Sequence, residues 1–491
     1  MNRIFQYISS LILGSAVFLF WWLLHPYALS FQEQNQLFLF TWDYFAERMA
    51  VSGGLADYVA EFLTQFCHIP VLGEALIAVL FMTFQRAVSL SIAKKEWYVL
   101  SFIAPVMMLV YMSDIYVMLS YMVALTIAVL LCALYRKYPG VLWACVAAVS
   151  GYWLIGPAIF VFMVFASLRE KNANALLYIS LAVFTVLLSR TVLLQQYPWK
   201  AVMFGINYYR LPLVVPAMQL IIAGAAALIP ILTDVLPKPD VRMNVVIVIL
   251  IAAAGTSGAF MTRQKDTVEL IAYDQMVRNE DWNGILKRAE KYQPDSELGA
   301  VSVNLALFMS GRGEEFPRFK QFGTRGLIQP NVRDFISNAS SCEVFWRLGM
   351  INESLRYAFD TQESLVNNRK SGRWMSRMAE CQILNGRYEV AEKYLDILSH
   401  SLFYRNWAEN ARRYLRNDDA VMSDRIYSYL KSVRYQADFF YYYPEMDKML
   451  SILYHQNKNN VMAAWYYQAW TALRKYEGND ENTYTGNAHG N

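Results

Sequence analysis

Long apolar runs fill the first 262 residues of this 491-residue chain. Residues 1–262 hold only 14 of its 44 Lys and Arg residues and 11 of its 40 Asp and Glu residues. An apolar stretch of about 20 residues spans the hydrocarbon core of a bilayer, and in lipid a helix bonds all of its own backbone groups. The sequence therefore predicts an all-α protein, with a multi-span membrane domain over 1–262 followed by a charged, water-soluble domain.

Seven runs have the length and composition of membrane-spanning helices. They cover residues 4–24, 71–92, 97–112, 115–135, 174–194, 213–236 and 244–262. An eighth apolar run, 141–168, is interrupted by Gly151, Gly156 and Pro157, which favour two short helices meeting near residues 152–157 over one long tilted helix. If this run is a hairpin, the membrane domain has nine spans.

Basic residues predict the orientation of the spans, because short cytoplasmic loops are enriched in Lys and Arg. With nine spans, all the basic clusters between the runs fall on one side, at Arg3, Lys94, Lys95, Arg136, Lys137, Arg169, Lys171, Lys238 and Arg242. We therefore expect a bacterial inner-membrane protein with a cytoplasmic amino terminus and a periplasmic domain after Arg263. The long loop 25–70 then lies outside the cytoplasm.

Within loop 25–70, apolar residues recur at helical spacing from Leu55 to Phe66, and Asp57, Glu61 and Gln65 fall on the opposite face. Such a helix is too short to span and is predicted to lie flat at the membrane interface.

Three acidic residues are candidates for chemistry on the outer face. Glu33 and Asp43 lie among amides and aromatic rings of the long loop, and Asp114 lies in the next short outer turn. A partly desolvated carboxylate there can deprotonate an acceptor hydroxyl or bind a divalent cation. The plainer alternatives are solvated loop carboxylates and, for Asp114, a helix cap.

Three basic residues are candidates for binding a phosphate group. Arg190 lies near the outer end of its span, and Lys200 and Arg210 follow in the next outer loop. A charge in the apolar zone is costly and is a functional candidate, although Arg190 can also extend to the interface as a long side chain does. No zinc spacing, phosphate-binding glycine loop or basic nucleic-acid stripe occurs, so we assign no metal ligands and expect no nucleic acid partner.

The second half, 263–476, has a weak helical repeat. Similar patterns start at Glu280, Gly311, Gly349 and Gly386, near the period of about 34 residues of tetratricopeptide helix pairs. Stacked pairs would form an α-solenoid with a surface for a protein partner. Cys342 and Cys381 are predicted to be separate core thiols or a disulfide, and the polar tail 477–491 is predicted to be disordered.

The first outer loop resembles an uncharacterised family of Bacteroidetes polytopic membrane proteins. The residues that carry this resemblance lie at 31–34, 37–40, 53–55 and 62–66. The layout is also similar, more distantly, to the GT-C superfamily of membrane glycosyltransferases. That similarity implies a polyprenyl-phosphate-linked sugar donor, with Glu33 or Asp43 as the first acid and Asp114 as the second. The loop has no Asp-x-Asp or Asp-Glu pair, so metal dependence is left open.

Two hypotheses of function follow. The first is a transferase that moves a sugar or oligosaccharide from a lipid carrier to an extracytoplasmic acceptor recruited by the solenoid. The alternative is a non-catalytic scaffold, in which the membrane half anchors a partner-binding solenoid. A transporter is less favoured, because ionisable residues in the middle of the spans are scarce.

Overall fold

The computed structural model describes residues 3–170, 173–211, 213–262, 265–319, 322–330, 335–365, 369–435 and 442–486. Across these residues the secondary structure is helical, apart from isolated bridges such as the one between Val117 and Tyr209. The predicted all-α polytopic class is confirmed. The chain divides into two compact units, Met1–Gln264 and Lys265–Asn491, here called the membrane unit and the second unit.

The membrane unit contains thirteen α-helices in the part of the chain that the structure describes. They are α1 (Arg3–Leu19), α2 (Ala28–Gln34), α3 (Trp42–Met49), α4 (Gly54–Thr64), α5 (Leu72–Ser91), α6 (Ile103–Met112), α7 (Leu119–Lys137), α8 (Val141–Ile155), α9 (Ile159–Arg169), α10 (Ala173–Leu188), α11 (Trp199–Phe204), α12 (Ala217–Val235) and α13 (Val241–Met261). Single turns of π-helix extend α1 over Phe20–Leu24 and α10 over Ser189–Leu193. Shorter 3₁₀ segments cover Gln65–His68, Lys95–Phe102 and Gly156–Ala158.

Within the described residues, eight helical segments are long and apolar enough to cross a membrane, and they coincide with the eight predicted apolar runs. Val141–Arg169 counts as one of the eight, but it is bent back at Gly156, where φ is +68°. The rings of Trp143 and Phe162 lie 5.9 Å apart, whereas a straight helix would separate them by about 28 Å. The run is therefore the predicted hairpin of two short helices, α8 of 15 residues and α9 of 11 residues, and the count of nine spans stays a prediction.

The basic helix ends meet at one end of the bundle. Asp234, near the end of α12, lies 2.9 Å from Arg136 at the end of α7 and 3.3 Å from Arg169 at the end of α9. Lys94 Nζ donates a hydrogen bond of 2.7 Å to the carbonyl of Leu236. The loops that join these helices at this end are therefore held together by charge and by carbonyl acceptors.

Helix α4 packs its polar face toward the bundle. Asp57 and Glu61 are buried, while the apolar residues Leu55, Tyr58 and Phe62 are only half-buried. The polar face packs inward because a counter-charge is buried with it: Arg48 Nε of α3 lies 2.8 Å from Glu61 Oε2 and 3.9 Å from Asp57 Oδ2.

Tyr44 completes this buried charge cluster. Its hydroxyl donates to Glu61 Oε2, and the guanidinium of Arg48 lies over its ring at 4.6 Å. Burial, together with the negative charge of Glu61, raises the pKa of the Tyr44 phenol well above its ordinary value. Tyr44 is therefore a neutral donor to a carboxylate that is shielded from water.

The described part of the second unit contains twelve α-helices. They are α14 (Lys265–Arg278), α15 (Trp282–Lys291), α16 (Glu297–Met309), α17 (Phe335–Leu348), α18 (Ile351–Glu363), α19 (Gly372–Leu384), α20 (Tyr388–Ser399), α21 (Arg405–Ala411), α22 (Asp418–Ser423), α23 (Arg425–Val433), α24 (Met446–Gln456) and α25 (Val461–Gly486). Shorter 3₁₀ turns cover Gly313–Arg318, Arg412–Tyr414 and Tyr443–Glu445.

Each predicted repeat begins at a residue with left-handed backbone. Glu280, Gly311, Gly349 and Gly386 have φ values of +54°, +72°, +81° and +70°. Three of them separate two α-helices, as a helix pair requires. The repeat at Gly311 differs, because only the 3₁₀ turn Gly313–Arg318 follows it; Pro317 lacks the backbone N–H that an α-helix needs there.

Two other predictions concern the second unit. Cys342 on α17 and Cys381 on α19 are buried free thiols, so the disulfide alternative is not realised in this structure. Helix α25 continues to Gly486, into the segment predicted to be disordered, and 487–491 lie outside the described residues. Extending a helix that is already formed costs far less than starting one, which explains why a polar sequence continues α25.

Glu343 on α17 is the centre of a buried ion network. Arg347, Arg373 and Arg377 reach its carboxylate at 2.6, 3.2 and 3.1 Å. Burial alone would raise the pKa of Glu343, but the positive charges of Arg377, Arg347 and Arg373 outweigh it and hold that pKa well below its usual range. The carboxylate is therefore charged and fully committed to holding α17 and α19 together.

We expect Arg48→Met to destabilise the membrane unit by about 3–5 kcal/mol, because it leaves buried carboxylates without their counter-charge. The double variant Arg48→Met/Glu61→Gln should be less destabilised than Arg48→Met alone, because it also removes one of those charges. The measurement is the temperature at which the purified full chain loses its monodisperse peak in detergent. If the single and double variants lose the same amount of stability, the pairing of Arg48 with Glu61 does not contribute as proposed.

Glu343→Ala should weaken the second unit by about 3–5 kcal/mol. The matched control is Glu409→Ala, which removes an exposed (i, i+4) pair with Arg405 and should cost less than about 1 kcal/mol. Hydrogen exchange of α17 in the full chain reports the opening free energy. A similar effect of the two variants would show that the buried network adds little.

The same network predicts a pH dependence. Since the folded pKa of Glu343 is depressed, its stabilisation is complete above the unfolded value of about 4.3 and is lost as the pH falls below that value. The difference in stability between wild type and Glu343→Gln should therefore be constant from about pH 8 to 5 and shrink below about pH 4. Chemical denaturation of the full chain across this range measures it.

Candidate functional site

The candidate site lies at the end of the membrane unit opposite the basic helix ends, where the long first loop folds into four short helical segments. Helix α2 begins after Tyr27, whose φ is +71°, and ends at Asn35, whose side chain donates to the carbonyl of Phe31. The polar residues Gln34, Asn35 and Gln36 on this segment are all buried. Burying such polar groups is costly unless they are hydrogen-bonded, as Asn35 is to Phe31.

Glu33 on α2 faces His68. Its Oε1 lies 3.5 Å from His68 Nδ1, and the exposed fractions of the two side chains are 5% and 32%. His68 ends the 3₁₀ turn Gln65–His68 that follows α4, so the inward-turned helix α4 places the imidazole against α2. A buried carboxylate is thus connected to the surface through an imidazole ring.

The thiol of Cys67, the residue before His68, is buried. Burial raises the pKa of Cys67, and the neighbouring Glu33 and Glu74 raise it further. The thiol is therefore neutral.

Arg210 contacts the two residues that precede Glu33 on α2. A guanidinium nitrogen of Arg210 donates to Gln32 Oε1 at 3.1 Å, and the guanidinium lies 5.8 Å from the centre of the Phe31 ring. The amide of Gln32 in turn donates to the carbonyl of Ile115 at 2.8 Å. Arg210, a cation from the segment between α11 and α12, is thus held at the edge of the first long loop.

Asp114 is fixed by hydrogen bonds in its turn. Its Oδ1 accepts from the backbone N–H of Tyr116, and its Oδ2 accepts from the hydroxyl of Tyr209, both at 2.9 Å. The backbone N–H of Arg210 donates to the carbonyl of Tyr116 at 2.7 Å. This pairing also explains why helix α7 begins at Leu119 and not at residue 115, as the apolar run predicted.

The structure therefore links Arg210 to Gln32 of α2, and Asp114 to Tyr209, the residue before Arg210. Glu33 follows Gln32 on α2, and its carboxylate faces His68. The other three predicted residues lie elsewhere. Asp43 is exposed on the first turn of α3, and Lys200 is exposed on α11. Arg190 lies in the π-turn after α10, with its guanidinium 5.5 Å from the centre of the Trp199 ring. Arg190 and Lys200 thus flank Trp199 as a second basic group.

Two features of the site were missed by sequence reasoning. The sequence pattern assigns no role to His68 or to Arg48. Neither has a partner at a fixed sequence spacing, so only the tertiary fold pairs them with Glu33 and Glu61. The signal that was available is the scarcity of bases in a loop rich in acids, since a lone base among buried acids is bound to be paired.

The described residues do not form a metal-binding set: no three His, Cys, Asp or Glu side chains among them come together in a way that could hold an ion. In the second unit, a cavity of about 20 Å³ lies between α14, α16 and α17 and is lined by Asp274, Ser302, Ser340 and Glu343 with aliphatic neighbours. That volume holds about one water molecule.

Comparison with known proteins identifies the family of this chain. No curated protein and no solved structure matches the chain. A sequence family described as a family of unknown function, DUF6057, matches residues 2–476. The resemblance to an uncharacterised family is confirmed at this level, and the chain belongs to the DUF6057 family.

Proposed function

We propose that this protein is a GT-C-like membrane glycosyltransferase, which moves a sugar or oligosaccharide from a polyprenyl-phosphate-linked donor to an extracytoplasmic acceptor. The observation that carries the proposal is the buried carboxylate of Glu33, 3.5 Å from His68, on a helix whose residue Gln32 accepts a hydrogen bond from the cation Arg210. A buried carboxylate, an imidazole and a guanidinium at one end of a membrane bundle are the groups that a transfer from a phosphate-linked donor needs.

The position of the site supports this function. We expect the basic helix ends around Asp234 to face the cytoplasm, and we therefore propose that Glu33 and the second unit lie on the outer side of a bacterial inner membrane. The half-buried apolar face of α4 and the exposed rings of Phe40 and Trp42 suit the lipid headgroup zone. A lipid-linked donor would therefore meet the site without leaving the bilayer.

The proposed step moves one proton and exchanges one bond. The acceptor hydroxyl gives its proton to the Glu33–His68 pair as its oxygen bonds to the anomeric carbon of the donor sugar. The bond from that carbon to the phosphate oxygen breaks, and the polyprenyl phosphate leaves with the electron pair. The guanidinium of Arg210 stabilises the negative charge that builds up on the phosphate.

The remaining candidate residues have supporting roles in this proposal. Asp114 holds Tyr209 and thereby the segment that carries Arg210. Arg190 and Lys200, which flank Trp199, are further contacts for the donor phosphate. Asp43 is exposed and takes no part in the step described, so its predicted role stays a prediction.

The second unit is proposed to recruit the acceptor or another protein partner. Its predicted helix pairs offer a continuous surface, and the network around Glu343 makes the pairing of α17 and α19 rigid. This rigidity is the observation that favours the alternative function, a membrane-anchored scaffold. Charge reversals on the exposed surface of the second unit would abolish a scaffold's function, whereas loss of Glu33 would leave it intact.

We expect Glu33→Gln and Arg210→Gln each to lower glycan transfer by at least about 100-fold, the usual effect of losing a positioned proton acceptor or charge stabiliser. A deletion strain carrying each variant is assayed for surface glycan and glycoprotein. The matched control is Glu47→Gln, another carboxylate of the same loop with an exposed side chain, and it should retain the wild-type level.

Membrane-inserted protein must be present at normal amounts in each strain, as shown by immunoblotting. If the Glu33 and Arg210 variants both complement the deletion fully, the transferase proposal is wrong. If function is lost only when exposed charges of the second unit are reversed, the result supports the scaffold function.

The proposed orientation has its own test. A reporter phosphatase that folds only outside the cytoplasm is fused after Lys265 and, as a control, after Lys137. We expect activity after Lys265 and none after Lys137, since nine crossings place these positions on opposite sides. The reverse result would put Glu33 on the cytoplasmic side, away from any periplasmic acceptor.

A further inference from the structure

We infer that His68 is the general base of the proposed transfer and that Glu33 is a positioning residue for it. This assignment rests on the proposed function and names the atom that takes the proton. It differs from the sequence prediction, in which the carboxylate itself was the base.

The first reason is access. The side chain of Glu33 is 5% exposed and that of His68 is 32% exposed. A general base must come within hydrogen-bond reach of the proton it removes. An acceptor arriving from the outer surface would meet the imidazole first, and the carboxylate lies behind it.

The second reason is the direction of the ring. Nδ1 of His68 is buried and faces Glu33 Oε1, so the exposed part of the ring is the part away from the carboxylate. A carboxylate beside Nδ1 favours the tautomer with the proton on Nδ1, which leaves the lone pair on Nε2. Nε2 is the atom that a base would use toward an acceptor.

The third reason is rigidity. His68 ends a 3₁₀ turn in which the N–H of Ile69 donates to the carbonyl of Phe66 at 3.1 Å, and Gln65 Nε2 donates to the carbonyl of Phe62 at 2.9 Å. The turn follows α4, whose inward face is held by the Arg48–Glu61 pair. The imidazole is therefore carried by a fixed element, which is what a preorganised base requires.

In the completed step, the acceptor O–H proton moves to His68 Nε2 while the acceptor oxygen bonds to the anomeric carbon. The imidazolium that forms is stabilised by the negative charge of Glu33, just as a buried carboxylate stabilises the histidine of a hydrolase triad. The donor phosphate leaves, and the imidazolium later releases its proton to water.

Chemical rescue tests this assignment in the deletion strain. His68→Gly should lose surface glycan, and imidazole added to the medium should restore it, because a free base can occupy the vacated position. The matched control compound is 1,2,4-triazole, which has nearly the same size but is a much weaker base, and it should restore little. Glu33→Gly should not respond to imidazole.

A second readout does not depend on activity. Nitrogen-15 spectra of histidine-labelled full chain in lipid bilayers distinguish the two neutral tautomers, and the His68 signal is identified by its absence in His68→Gln. We expect the Nδ1-protonated tautomer in wild type and a shift toward the Nε2-protonated tautomer in Glu33→Gln.

The outcomes separate this inference from the proposed function. If Glu33→Gln loses glycan while His68→Gly keeps it, the transferase stands and His68 is not its base. Equal rescue by imidazole and triazole, or loss without any rescue in a normally inserted protein, would show that the ring has only a structural role. A tautomer unchanged by Glu33→Gln would overturn the positioning role. If neither variant loses glycan, the proposed function itself fails.

Discussion

The burial of Arg48 together with its carboxylate partners determines how the helices of the first long loop pack on the membrane unit. Arg48 is buried together with Glu61 and Asp57, and this buried charge pulls the polar face of α4 toward the bundle. Leaving either partner without the other would cost several kcal/mol, so α4 has one acceptable orientation. The turn after α4 then sets His68 against Glu33, and the candidate site follows from an ion pair that lies outside it.

The other outer loops are joined to this framework by backbone hydrogen bonds. The N–H of Met118 donates to the carbonyl of Tyr208, and the N–H of Arg210 donates to the carbonyl of Tyr116. These bonds satisfy polar backbone groups close to the apolar zone, where unpaired groups are costly. They also carry Arg210 to Gln32, so the need to bond the backbone supplies the cation of the site.

The parts of the fold that depend on local composition could be predicted from sequence, and the parts that depend on distant partners could not. Apolar length predicted the spans, Gly156 and Pro157 predicted the hairpin, and Gly349 and Gly386 marked helix-pair turns. The pattern of α4 correctly separated a polar from an apolar face, but it could not say which face was buried, because the counter-charge lies on α3. Glu33 was predicted from its surroundings in sequence, whereas its partner His68 lies 35 residues away and is brought there by α4.

The two units bury carboxylates in different ways, and the difference separates structure from chemistry. Glu343 is surrounded by three arginines, whose charges do not change at physiological pH, so its carboxylate stays charged and acts as a clamp. Glu33 instead faces the imidazole of His68, with 3.5 Å between Oε1 and Nδ1. A carboxylate held by permanent cations resists proton transfer, whereas a carboxylate–imidazole pair is an arrangement used in general acid–base catalysis. This difference in partners is the reason why the proposed chemistry is assigned to α2, while Glu343 is assigned a structural role on α17.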